Sequence, residues 1–132
     1  MKNIALLIVT GLIIFSACKK NSESERFVLL TTPVWTSDSL LVNGFDASGP
    51  GQLLEKFKGD AKFYKNGTGS FGQYTGTWRF SYNETNLVIE SDSLLLPLTT
   101  NIVELTAISL KVTTVFPSIP DPLNIRMTFK AK

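Results

Sequence analysis

The chain has 132 residues, a formal net charge of +2, no histidine and a single cysteine. That charge leaves no electrostatic footprint for nucleic acid, one cysteine excludes an internal disulfide, and the absence of histidine removes the commonest general base and metal ligand.

The N-terminus comes first. Lys2 precedes an almost wholly apolar run from Ile4 to Phe15, and Ser16 and Ala17 stand before Cys18, the layout of a secretory leader. A membrane span is excluded by length, because the stretch from Ile4 to Cys18 rises only ~22 Å as a helix against the ~30 Å hydrocarbon core. The sequence FSAC resembles the lipobox of bacterial lipoproteins, with Phe15 in place of the usual leucine. The resemblance implies cleavage before Cys18 and diacylation of its thiol, so that N-terminal acyl chains hold the chain on a membrane. A buried core cysteine is the competing reading, and KKNSESER, which follows, offers no apolar partner for one. Residues 1–17 are thus expected to be a lipoprotein signal peptide and 18–27 a lipidated polar tether. A single folded domain is expected over 28–132.

From Val28 onward the strongest periodicity is two, which predicts strands with one buried face. About eight are expected: Val34 to Val42, Ala61 to Lys65, Thr68 to Gln73, Gly76 to Tyr82, Leu87 to Glu90, Leu94 to Leu98, Val103 to Phe116 with a break near Ser109, and Leu123 to Ala131. The last alternates without fault, Leu123, Ile125, Met127, Phe129 and Ala131 on one face and Asn124, Arg126, Thr128 and Lys130 on the other. Between the first two strands, Gly44 to Gly51 reads as a flexible loop, and GQLLEKFKGD is divided between a helical turn and an extended strand kinked at Gly59, with the strand preferred. Asn66-Gly67 signals a hairpin of type I′. FPSIPDPL, with three prolines, reads as a connection rather than an interior strand.

Strands joined by hairpin-sized links form a meander, and closing it hides both its apolar face and its edges. The expected fold is therefore all-β, an up-and-down antiparallel barrel of about eight strands, with a β-sandwich as the alternative. LLTTPVW, AKFYKNGTGSF and YTGTWRFSYNETNLVIE, in that order, resemble the lipocalin-like domain of small Gram-negative lipoproteins. The resemblance spans roughly Leu29 to Lys132 and implies a non-catalytic barrel with capacity for a ligand, while Pro33 departs from the glycine of the lipocalin Gly-x-Trp start.

Residues 67–72, GTGSFG, match the G-x-G-x-x-G pattern, but a phosphate-binding turn needs a helix after the glycines and QYTGTWRF reads as strand. The carboxylates fall mostly in turns or on polar strand faces, where solvation accounts for them. The aromatics are more informative. Trp35, Phe63, Trp78, Phe80, Tyr82, Phe116 and Phe129 are expected to point inward, either filling the core or lining a small apolar pocket. Trp35, Phe63, Tyr64, Trp78, Arg79, Tyr82 and Arg126 are the candidate ligand-binding residues. The functional expectation is an envelope lipoprotein, at the outer membrane, that is not an enzyme, uses no cofactor or metal, and binds a small apolar or amphipathic ligand. The alternative is a filled barrel that docks an envelope protein through the loops 44–51 and 116–121.

Overall fold

The computed structural model describes residues 23–132. It contains a helix α1 (Glu25–Thr31) and nine strands: β1 (Trp35–Val42), β2 (Phe45–Asp46), β3 (Asp60–Phe63), β4 (Thr68–Phe71), β5 (Tyr74–Ser81), β6 (Asn86–Glu90), β7 (Leu98–Leu105), β8 (Ser109–Phe116) and β9 (Leu123–Ala131). Every pairing is antiparallel; β1 and β3 to β9 follow one another in chain order, and β9 returns to pair with β1 from Trp35↔Ala131 to Val42↔Ile125. The result is a closed, eight-stranded, up-and-down barrel with the short β2 appended to the end of β1.

Closure places alternate side chains in one interior. Leu110 and Val112 of β8 meet Ile125, Met127 and Phe129 of β9, and Trp78 of β5 meets Phe63 of β3, all buried in one apolar cluster. Two strands break strict alternation through bulges. In β1 the register shifts between Ser37 and Ser39, so Trp35 and Leu40 both face inward although five positions apart. In β7 it shifts between Ile102 and Glu104, so Ile102 and Leu105, three positions apart, both pack on the core.

Several segments differ from the sequence expectation. The expected strand Leu94 to Leu98 is a loop as far as Pro97, with Leu98 opening β7, and the run Val103 to Phe116, expected to break near Ser109, is divided between β7 and β8 by a turn at 106–108. Pro97 has no N–H to give a ladder. Residues 55–57 form a single 3-10 turn instead of extending β3. Leu54 and Phe57 project from it into the core, a use of apolar residues that a straight strand at the barrel edge would not allow. Asn66-Gly67 does make a hairpin, but Gly67 alone takes a positive φ, at 88°, while Asn66 Oδ1 accepts from the Thr68 N–H. The four residues between Phe63 and Thr68 are too many for the two-residue turn expected.

Helix α1 begins within the stretch expected to be tether. Ser24 Oγ caps it by accepting from the Phe27 N–H at 3.1 Å, and Glu25 lies in its first turn. Phe27, Leu30 and Thr31 share the inward face. The helix ends ahead of Pro33, where Lys62 Nζ donates to the carbonyls of Thr31, Thr32 and Pro33 at 2.8, 3.1 and 3.2 Å. At its other end Ser24 Oγ donates to Glu84 Oε2 at 2.6 Å and Arg26 Nε to the Glu84 carbonyl at 2.8 Å.

Candidate functional site

An up-and-down barrel sends its connections alternately to two ends. At the helix end lie α1 and the turns 64–67, 82–85 and 106–108; at the loop end lie 43–59, 72–73, 91–97 and 117–122. A ligand cavity would have to open at one of them, and both are plugged. Leu30, fully buried, closes the helix end, while Ala47, Leu54 and Phe57 close the loop end, Phe57 stacking obliquely on Tyr74 with ring centroids 4.8 Å apart.

Between the plugs, the interior void bounded by Phe63, Phe71, Leu87, Leu110, Met127 and Phe129 amounts to about 10 Å³. A small-molecule pocket needs ~300 to 1,000 Å³. Packing rather than vacancy therefore describes the inside.

The candidate ligand residues separate into two sets. Trp35, Phe63 and Trp78 are core side chains. Trp35 Nε1 donates to the Leu30 carbonyl at 3.0 Å and thereby ties the barrel wall to the helix. Trp78 packs against Phe27, Phe63 and Phe80 at 5.7, 5.8 and 5.4 Å, and its Nε1 donates to the Tyr64 carbonyl at 2.8 Å. Buried indoles need such partners, and both have one. The other set faces solvent. Tyr64 and Tyr82 are exposed, Arg79 lies 3.8 Å from Glu90 in an exposed ion pair, and Arg126 sits on the outer wall. No single cavity brings the two sets together among the described residues.

Two aromatics expected inside are outside. Tyr82 is 77% exposed because the backbone leaves the strand there: Tyr82, Asn83 and Glu84 have φ of 50°, 54° and 64°, a left-handed turn closed by the Thr85 N–H on the Tyr82 carbonyl at 3.1 Å. Phe116 ends β8 beyond the reach of the core. Conversely, Thr100 occupies an interior position, its Oγ1 donating to the Leu87 carbonyl at 3.0 Å.

The glycines of the G-x-G-x-x-G pattern serve β4 and its turn, and strand β5 follows them. At Gly72, with φ of 62°, a Cβ would strike the backbone of Lys56 and Phe57, so this residue lets the loop-end plug sit close on the barrel.

The outer wall carries an open groove of about 550 Å³ between β1, β8 and β9, where Asp38, Ile108, Lys111, Arg126 and Lys130 converge. Lys130 pairs with Asp38 at 3.3 Å and Lys111 with Glu104 at 3.4 Å. Ser109 Oγ donates to Glu104 Oε2 at 2.6 Å, and this bond, assisted by Lys111, holds the Glu104 carboxyl below its ordinary range against a desolvation that raises it. Its cations are thus largely matched by local anions. Among the described residues no three acidic or thiol side chains gather as a metal site, and no helix is long and apolar enough to cross a membrane.

No protein-family model and no curated protein matches the chain.

What sequence reasoning missed is the pair of plugs. Ser24 followed by apolar residues at 27 and 30 and by Pro33 is a helix signature with both start and stop. Cys18 lies outside the described residues.

Proposed function

We propose that the chain is a lipocalin-like envelope lipoprotein, held on the outer membrane by acyl chains on Cys18, whose barrel is a non-catalytic accessory that docks an envelope protein through its loop end. The filled interior carries this reading. A barrel with about 10 Å³ of void offers an apolar ligand no room without displacing Leu30 or Phe57, so recognition is left to the outside. The loop end suits that task. Phe45, Leu95, Leu96 and Ile119 stand exposed on three separate loops there, Leu95 and Ile119 almost completely. Scattered apolar residues are ordinary on a surface, but several at one end of a small barrel are the composition of an interface centre.

Native mass spectrometry of the purified 22–132 fragment tests the reading, since the described residues include the whole closed barrel and both plugs. The expected result is the mass of the polypeptide alone. A stoichiometric small molecule that survives desalting and leaves on unfolding overturns the docking reading in favour of an internal ligand. For the anchor, Cys18→Ser is expected to abolish incorporation of labelled palmitate and release the chain from the membrane fraction, and unchanged labelling refutes it.

A further inference from the structure

The helix end carries a second exposed apolar set, arranged differently from the first. Each junction between strands at that end presents one such residue: Tyr64 in the turn after β3, Tyr82 after β5, Ile108 after β7, and Val34 where the chain enters β1 beside the end of β9. Val28 of α1 is exposed among them. Ile108 and Tyr82 are 73% and 77% exposed. The left-handed turn at 82–84 holds Tyr82 outside the barrel, although the alternation of β5 would direct it inward.

Most charged groups described at this end are held by ion pairs or by hydrogen bonds within the chain. Lys62 is spent on three carbonyls, Arg26 on the Glu84 carbonyl, Lys65 on Glu23 at 3.2 Å and Lys132 on Asp60 at 2.8 Å. Glu84 accepts from Ser24, and Glu104 from Ser109 and Lys111. What remains to meet a partner is a ring of two tyrosines and aliphatic side chains around polar groups that are already hydrogen-bonded. Tyrosine, with an apolar body and a polar tip, is a residue of the membrane–water interface.

From these observations, and resting on the lipid anchor proposed above, we infer that the helix end lies flat on the bilayer, with Tyr64, Tyr82 and Ile108 in the headgroup layer. Chain length fixes which end can do so. Cys18 is five residues before Glu23, a reach of about 18 Å when fully extended. Strand β9, of nine residues at ~3.3 Å each and tilted by ~40°, gives the barrel wall a height of roughly 23 Å before any loop is added. With its loop end on the membrane the barrel would hold Glu23 farther from the lipid than the tether reaches. The helix end, where Ser24 is pinned to Glu84, has no such obstacle. The same orientation points Phe45, Leu95 and Ile119 away from the bilayer.

The test uses the acylated full chain in vesicles of phosphatidylethanolamine and phosphatidylglycerol. Acylation consumes the native thiol, so Tyr82→Cys, Ile108→Cys, Leu95→Cys and Ile119→Cys each introduce one free thiol for a nitroxide, at exposed positions where the fold tolerates it. Collision with a water-soluble nickel chelate is expected to be several-fold lower at 82 and 108 than at 95 and 119, and to stay so in high salt, because apolar and tyrosine side chains make the contact. Equal accessibility at all four positions, with the chain still floating with the vesicles, overturns this inference and leaves the anchor standing. Protection at 95 and 119 instead reverses the orientation and overturns it equally. A chain that does not float with the vesicles overturns the anchor and this inference with it.

Discussion

Replacing Trp78 with alanine tests the filled core most directly. The indole is 6% exposed, touches three aromatic rings at 5.4 to 5.8 Å and donates to the Tyr64 carbonyl. Truncating a large buried aromatic costs ~3 to 5 kcal/mol, because the transfer energy is lost and a cavity is left behind. A small domain is stable by only ~5 to 15 kcal/mol, so the variant should lose about a fifth or more of its margin. For about 110 residues the unfolding entropy is ~0.23 kcal/mol/K, which translates the loss into a fall in Tm of roughly 13 to 22 °C. Trp78→Phe separates the terms. It keeps an aromatic ring in the core but loses the N–H and part of the indole's volume, and since the Tyr64 carbonyl still accepts from the Gly67 N–H at 3.0 Å, a cost of ~1 to 2 kcal/mol, below that of the alanine variant, is expected. Urea titration followed by the emission of Trp35 measures both variants, with an unchanged m-value confirming that the change lies in stability. A fall in Tm below about 4 °C for Trp78→Ala, equivalent to ~1 kcal/mol, would refute the packed interior.

Other substitutions probe the plugs and turns. Ser24→Ala removes the cap of α1 together with the hydrogen bond to Glu84 and should destabilise by ~1 to 2 kcal/mol in the same titration, with faster amide exchange across Phe27 to Thr31 than in the barrel wall; uniform exchange would contradict a separately pinned helix. Tyr82→Gly relieves a left-handed backbone that costs a side-chain-bearing residue ~1 to 2 kcal/mol, against ~0.5 to 1 for the glycine's added freedom, so the variant should be as stable as the parent or slightly more so. A measured loss would mean that Tyr82 makes a contact worth more than its strain. Gly76→Ala places a Cβ against the Glu90 carbonyl across the β5–β6 pair and should destabilise clearly, and a neutral result would refute that close approach. Glu104 has its folded-state pKa lowered by Ser109 and Lys111, so its contribution is present above the ordinary carboxylate range and lost as pH falls through the depressed value. Glu104→Gln should therefore flatten the acid limb of the stability profile and leave its shape near neutrality unaltered, as thermal melts across pH would show.

Legibility in the sequence followed how regularly a segment obeyed one period. β9 and β5 alternate cleanly because each has one face on a packed interior and one in water, and those residues were assigned to strands from pattern alone. β7 was obscured because Thr100 takes an interior position, satisfied by a backbone carbonyl, and because the bulge after Ile102 shifts the phase so that Leu105 rather than Glu104 meets the core. β1 has the same defect between Ser37 and Ser39. The two plugs escaped for a different reason: three to seven residues are too few to establish a helical period, and their apolar residues are explained only by the barrel mouths they fill. The candidate site was half legible. Burial of Trp35, Phe63 and Trp78 follows from their phase, but that they fill the interior instead of lining a space depends on Leu30, Leu54 and Phe57, contributed by segments whose local pattern does not announce them.

The seam between β1 and β9 makes closure of the fold wait for the ninth strand. Seven residue pairs join strands about ninety positions apart in the chain, and without them the sheet is an open ribbon with two bare edges. Local hairpins can assemble as the polypeptide emerges, but the wall cannot be completed, nor the oily interior sealed, until β9 has been made; contacts so remote in sequence form slowly. A chain cut before β9 would lose far more than one strand's share of its cooperativity, since it would forfeit the act of closing.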